Sequence, residues 1–181
     1  MSLVILVIGG CRSGKSGFTL DAAEKIAKKD RFFIATSLQL DSEMRDRILK
    51  HQEERGPDWT TIDAPVQLPA AILKYSETGR VLLVDCITMW LNNLFLDDEK
   101  SPHIDEYIED LKSSLKKISC PILLVTNEVG TGIVPENRLA REYRDIVGTV
   151  NQELAGLADQ VVMVVAGIPV WIKGREKDII P

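Results

Sequence analysis

The chain has 181 residues, enough for one domain with a proper core, and its 45% hydrophobic and 27% charged content is that of an ordinary globular protein in water. Its net charge of −5 argues against a nucleic-acid backbone as partner, so any bound polyphosphate must be held by local charge. Cys11, Cys86 and Cys120 are widely spaced, lack metal-ligand spacing and suit a reducing cytoplasm. No basic leader precedes the first strand and no apolar run exceeds strand length, so neither a signal peptide nor a membrane span is expected. No repeat, low-complexity tract or linker divides residues 1–181, which read as a single domain.

The first apolar run, Leu3 to Ile8, has strand length. Directly after it, Gly9-Gly10-Cys11-Arg12-Ser13-Gly14-Lys15-Ser16 fits the phosphate-loop pattern G-x-x-x-x-G-K-[ST]. Phe18, Ala22, Ala23, Ile26 and Ala27 then recur at helical spacing, so the motif sits between strand and helix as it must. Glycines let the backbone approach phosphate oxygens, and the helix N-terminus adds unpaired N–H donors. Lys15 is expected at the β- and γ-phosphates, and Ser16 on Mg²⁺.

Arg31 to Ala35 reads as a second strand, ending in Thr36-Ser37 at the strand edge where open α/β sheets bind ligands. Asp41-Ser42 can cap a helix over 43–54. On it Arg47, His51 and Arg55 share one face, four residues apart. Two guanidiniums favour a neutral, nucleophilic imidazole and would also attract phosphate. From spacing alone His51 remains either a boundary residue of an apolar stripe or a reacting group. Gly56-Pro57 stops this helix, Trp59 to Ile62 forms a short strand ending at Asp63, and Pro65 opens a helix over 66–75.

Val81-Leu82-Leu83-Val84-Asp85 has the Walker B form, four apolar residues and then an acid, which places a carboxylate where it can hold Mg²⁺. Met89, Trp90, Leu91, Leu94, Phe95 and Leu96 make a helix apolar all round, which is either central core, the default, or an oligomer contact, since a chain this short can hardly enclose it fully. His103 falls in an acidic surface loop. Ile104, Ile108, Leu111, Leu115 and Ile118 trace a one-sided helix, and Ile122 to Val125 a further strand. A long glycine-containing loop runs from Thr126 to Asn137, where function concentrates. Leu139 to Leu157 follow as an amphipathic helix, Val161 to Val165 as the last core strand, and Gly167 to Lys173 as an edge segment. The alternation predicts an α/β fold, a mostly parallel sheet with helices on both faces.

Assembled, these motifs resemble the bifunctional adenosylcobinamide kinase/adenosylcobinamide-phosphate guanylyltransferases of cobalamin biosynthesis. The resemblance rests on Gly9 to Ser16, on Ile34 to Ser37 with Asp41, Glu43 and Met44, and on Arg47, Ile48, His51, Arg55, Pro57 and Trp59. It continues through Val84 to Thr88 with Trp90, Leu91, Asn93 and Leu94, and ends with the distinctive run Thr126 to Gly130, Pro135 to Arg138, Arg144, Asp145, Gly148, Asn151 and Gln152. It implies a P-loop NTPase of RecA-like fold, a homotrimer in the cytoplasm, a corrinoid substrate (adenosylcobinamide and its phosphate), and GTP, ATP and Mg²⁺ as cofactors. It also implies two reactions: phosphorylation of the cobinamide side-chain hydroxyl, then GMP transfer from GTP through a histidine that falls on His51. Besides the loop, Thr36, Ser37, Leu38, Gln52, Glu53, Glu54, Arg55, Asp63 and Asp85 would line the GTP site. Lys50 stands where some members carry a second histidine, Gly56 intervenes before Pro57, and Cys11, where the family often has alanine, reads as a small loop filler. Two other readings remain: a single-reaction small-molecule kinase, and a P-loop NTPase switch or assembly factor.

Overall fold

In the computed structural model, which describes residues 2–38 and 56–175, the run before the glycine loop is strand β1 (Val4–Gly9), an inner strand of a seven-stranded sheet. The chain continues through α1 (Lys15–Ile26), β2 (Arg31–Ala35), β3 (Trp59–Asp63), α2 (Leu68–Ser76), β4 (Val81–Asp85) and α3 (Ile87–Phe95). A 3-10 turn (Ser101–His103) leads into α4 (Ile104–Leu115), followed by β5 (Ile122–Asn127), α5 (Arg138–Leu157), β6 (Gln160–Val165) and β7 (Ile168–Lys173). The helix expected over 43–54 lies outside the described residues.

The strand order is β3-β2-β4-β5-β1-β6-β7. Every pairing is parallel except β6 with β7, where a hairpin adds an antiparallel edge. β5 separates the loop-bearing β1 from β4, which carries Asp85. This is the expected α/β fold, a mostly parallel sheet with the phosphate loop at the end of β1. Inner strands of a parallel sheet are covered on both faces, which explains why β1, β4 and β5 are apolar almost throughout.

Side-chain alternation divides the core. Ile5, Val7, Leu83, Leu123 and Val125 pack with Ala22 and Ala23 of α1. Leu6, Leu82, Val84, Ile122 and Leu124 pack in the other cluster, with Leu68 and Ile72 of α2, Trp90 of α3, Leu111 of α4 and Val150 and Leu154 of α5. The parallel register does the functional placing. Gly9 is level with Asn127, and Ala35 is level with both Asp63 and Asp85. One sheet edge thus carries the glycine loop and both acids.

Helix α3 is buried in large part within one chain. Ile87, Trp90, Leu91 and Leu94 are all 0% exposed, and the Trp90 indole N–H donates to Val66 O at 2.8 Å. Met89 and Phe95 are half-buried, and Leu96, just beyond its end, is 58% exposed. His103 is on the surface as expected, with Nδ1 3.0 Å from Glu106 Oε1.

Candidate active site

The glycine loop joins β1 to α1 by a path that side chains would obstruct. Gly14 has φ +92°, and Arg12 is also left-handed at +53°. At Gly9 a Cβ would come within 2.6 Å of both Ser13 Oγ and Val164 O. The loop is tied across itself by Ser13 N–H to Gly10 O (3.3 Å) and braced by Gly167 N–H to Ser13 O (2.8 Å). The β6–β7 turn therefore clamps the phosphate loop, a contact between distant segments that no local pattern signals. Cys11 lies exposed on the loop.

Lys15 is only 9% exposed and donates from Nζ to Gly10 O at 3.0 Å, so its ammonium lies across the loop. Ser16 Oγ donates to Asp85 Oδ2 at 3.0 Å, which joins the loop motif to the Walker B acid. These are hard oxygen donors at one point, which fits Mg²⁺. Among the described residues no group of three or more His, Cys, Asp or Glu could hold a metal, so a cation here would draw its further ligands from phosphate and water.

At the end of β2, Thr36 is wholly buried. Its hydroxyl donates to Cys86 O at 2.7 Å and accepts from Cys86 N–H at 2.8 Å. Asn93 Nδ2 donates to Thr36 O (2.7 Å) and Pro65 O (2.9 Å), pinning the ends of β2 and β3 together. The Thr36 hydroxyl thus supports the edge from behind. Ser37 is half-buried, Leu38 is 36% exposed and Asp63 is exposed. His51, Gln52, Glu53, Glu54 and Arg55 lie outside the described residues. The structure therefore brings together Gly9, Gly10, Cys11, Arg12, Ser13, Gly14, Lys15, Ser16 and Asp85, with Thr36, Ser37, Leu38 and Asp63 along the same edge.

Sequence reasoning missed a polar network behind this edge. Thr88 Oγ1 lies 3.2 Å from Thr126 Oγ1 and accepts from Asn127 N–H at 2.7 Å. Thr126 donates to Asn151 Oδ1 (2.8 Å), Asn151 Nδ2 to Asn127 O (3.2 Å), and Tyr143 OH to Thr88 O (2.7 Å). These bonds tie α3, β5 and α5 together directly beneath the loop that begins at Glu128.

Cys86 caps α3, its Sγ accepting from Met89 N–H at 3.4 Å. Burial, and then the neighbouring Asp85 carboxylate, push its thiol up to about 12, and burial pushes Cys120 up to about 11. Folding therefore favours the protonated thiols. That contribution is complete below the unfolded thiol value of about 8.5 and is lost as pH rises through the folded values. Stability should fall from about pH 9 upward, and Cys86→Ser should flatten that fall in urea unfolding followed across pH. An unchanged alkaline slope in the variant would contradict this assignment.

The loop over 128–137 starts beside the phosphate loop, with Glu128 N–H donating to Gly9 O at 3.0 Å. It ends at Asn137, whose side chain caps α5 by accepting from Ala140 N–H at 3.1 Å. Two arginines of α5 strap it down: Arg144 Nη2 donates to Gly130 O (2.8 Å), and Arg141 Nη1 to Pro135 O (2.9 Å) and Glu136 O (2.6 Å). At its tip Ile133 is 96% and Val134 62% exposed.

Comparison with known proteins places this geometry. The family described as cobinamide kinase / cobinamide phosphate guanyltransferase matches residues 5–172. The bifunctional adenosylcobalamin biosynthesis protein CobP of Pseudomonas aeruginosa is 40% identical over 173 residues, covering 94% of this chain and 97% of that protein. The proteins named CobU of Salmonella typhimurium and Escherichia coli are 41% and 40% identical, each match covering 94% of this chain and 100% of the relative. Among solved structures, a KaiC-like protein of Pyrococcus horikoshii aligns with TM-score 0.48 at 15% identity, over 89% of this chain and 70% of that one.

Proposed function

The chain belongs to the cobinamide kinase / cobinamide phosphate guanylyltransferase family, and on that premise we propose that it phosphorylates adenosylcobinamide with ATP or GTP and then converts the product to adenosylcobinamide-GDP with GTP, in cobalamin biosynthesis or salvage. The observation that carries the reading is the meeting of Ser16 Oγ and Asp85 Oδ2 at 3.0 Å beside Lys15, on a phosphate loop at one end of the sheet.

In the first reaction Lys15 neutralises charge on the transferring γ-phosphoryl group while the acceptor hydroxyl attacks in line. The new P–O bond forms as the β–γ bridge breaks, the nucleoside diphosphate leaves and the hydroxyl proton is released to solvent. Mg²⁺ held by Ser16 and Asp85 would supply further neutralisation when bound. In the second reaction a neutral His51 nitrogen attacks the α-phosphorus and pyrophosphate leaves. An oxygen of the acceptor's phosphate then attacks the same phosphorus, the P–N bond breaks and the imidazole leaves neutral, as it began. His51 follows Leu38, at the site's edge, by thirteen residues, which span at most about 45 Å of extended chain. That tether is long enough to bring the ring to the loop. Cytoplasmic location and a homotrimer go with the family resemblance, and no helix among the described residues is long and apolar enough to cross a membrane.

The test is mass spectrometry of the corrinoid after incubation with GTP. A gain of one phosphate, followed by a gain of GMP on that phosphate, is expected. A phosphate gain without GMP transfer would leave a single-reaction kinase. Nucleotide hydrolysis with unmodified corrinoid would sink the transferase reading and favour a switch.

A further inference from the structure

The second reaction brings a phosphate monoester dianion to a phosphorus that already carries negative charge. Like charges at that distance repel, so cations are needed to hold the incoming phosphate. Once pyrophosphate has left, Lys15 is a single cation against the two charges of the dianion, so further cations are needed. The adjoining 128–137 loop is held by two guanidiniums whose bonds go only to main-chain carbonyls.

Arg141 and Arg144 lie on α5, three residues apart, and so on the same side of the helix. Among the described residues neither is joined to a carboxylate, whereas the neighbouring Arg138 pairs with Glu142 at 2.7 Å. All their hydrogen bonds given above go to neutral main-chain carbonyls of the 128–137 loop, at Gly130, Pro135 and Glu136. Arg144 Nη1 is buried without a hydrogen-bond partner, an arrangement that calls for an explanation in a folded protein. Gly130 is two residues from Glu128, whose N–H holds Gly9 O. The carbonyl bound by Arg144 is thus within about 8 Å of chain from the start of the phosphate loop. Beyond it the loop exposes Ile133 and Val134, an apolar tip suited to the body of a large acceptor.

We propose that Arg144 and Arg141 form the subsite for the phosphate monoester of the phosphorylated acceptor. The loop carbonyls occupy the donors that the phosphate takes over. Guanidinium–phosphate hydrogen bonds are charge-assisted and bidentate, roughly twice as strong as bonds to a neutral carbonyl. Arg144 gains the partner its Nη1 lacks, and the loop re-forms over the bound acceptor. This assignment rests on the two-reaction reading above and adds to it the acceptor's binding site.

The experiment separates the half-reactions in Arg144→Gln, Arg144→Lys and Arg141→Gln. Label retained from GTP carrying a labelled α-phosphate reports the first half-reaction, and the KM for cobinamide phosphate reports the second. The expected result for Arg144→Gln is normal labelling with that KM raised about 10- to 100-fold, the loss typical of a charged hydrogen bond. Arg144→Lys should recover part of it, and Arg141→Gln should show a smaller rise. The KM for unphosphorylated cobinamide in the kinase reaction should stay within about threefold, because that acceptor brings no dianion. Normal labelling with an unchanged KM for cobinamide phosphate would overturn the proposal. So would an equal rise for both acceptors, or loss of labelling, either of which marks a purely structural role. If the unsubstituted protein itself takes no label, the histidine step fails. Calorimetric binding of cobinamide phosphate to it and to Arg144→Gln still decides the subsite, weaker binding in the variant supporting it and equal binding refuting it.

Discussion

Lys15→Ala should lower phosphorylation of cobinamide and guanylyl transfer together, each by about 10³-fold or more. The side chain is 9% exposed, starts α1 and sends its ammonium across the loop to Gly10 O. No other lysine is placed on the loop, and Arg12, left-handed and exposed, stands on its outer surface. Both reactions place a triphosphate on this loop and expel a phosphate-bearing leaving group. One cation therefore serves both. The fold should lose little, because Lys15 gives up one hydrogen bond to a carbonyl, worth about 1 kcal/mol. Parallel assays of the two activities and a urea unfolding curve check this together. A variant that loses one activity and keeps the other would show that the reactions use separate phosphate sites.

His51→Ala should have the opposite signature. Guanylyl transfer should fall by about 10⁴-fold or more, since without the nitrogen nucleophile there is no covalent route. Phosphorylation of cobinamide should remain within about threefold, because the loop, Lys15, Ser16 and Asp85 are untouched. Corrinoid products should therefore accumulate at the phosphate stage. Kinase activity that falls as far as the transferase would mean that the residue supports the site generally and is not the nucleophile.

The nucleotide half of this site was legible because its chemistry is local. Gly9 and Gly14 mark positions where a Cβ collides or φ is positive, and Lys15 and Ser16 follow them at fixed spacing. Asp85 was legible only together with the phosphate loop, because many buried strands end in an acid. The parts that escaped are those whose partners are far apart in sequence. Thr36 reads as a ligand contact from its place at a strand's end, yet its hydroxyl is committed to Cys86, fifty residues on. The Thr88–Thr126–Asn151 network and the bracing of Ser13 by Gly167 have the same character. Helix α3 has the same character: its composition marks it as surrounded, but which of its residues meet α2, α4 and α5 is set by distant segments.

One phosphate loop would thus serve two phosphorus atoms, the second through a covalent bond to His51. The most direct measurement of this is incubation of the protein with GTP labelled at the α-phosphate, followed by denaturation and peptide mapping. Label is expected on the peptide containing His51, stable to base and labile to acid, and discharged by cobinamide phosphate before denaturation. Guanylyl transfer that proceeds at full rate with no label retained, or with label on any other residue, would contradict it.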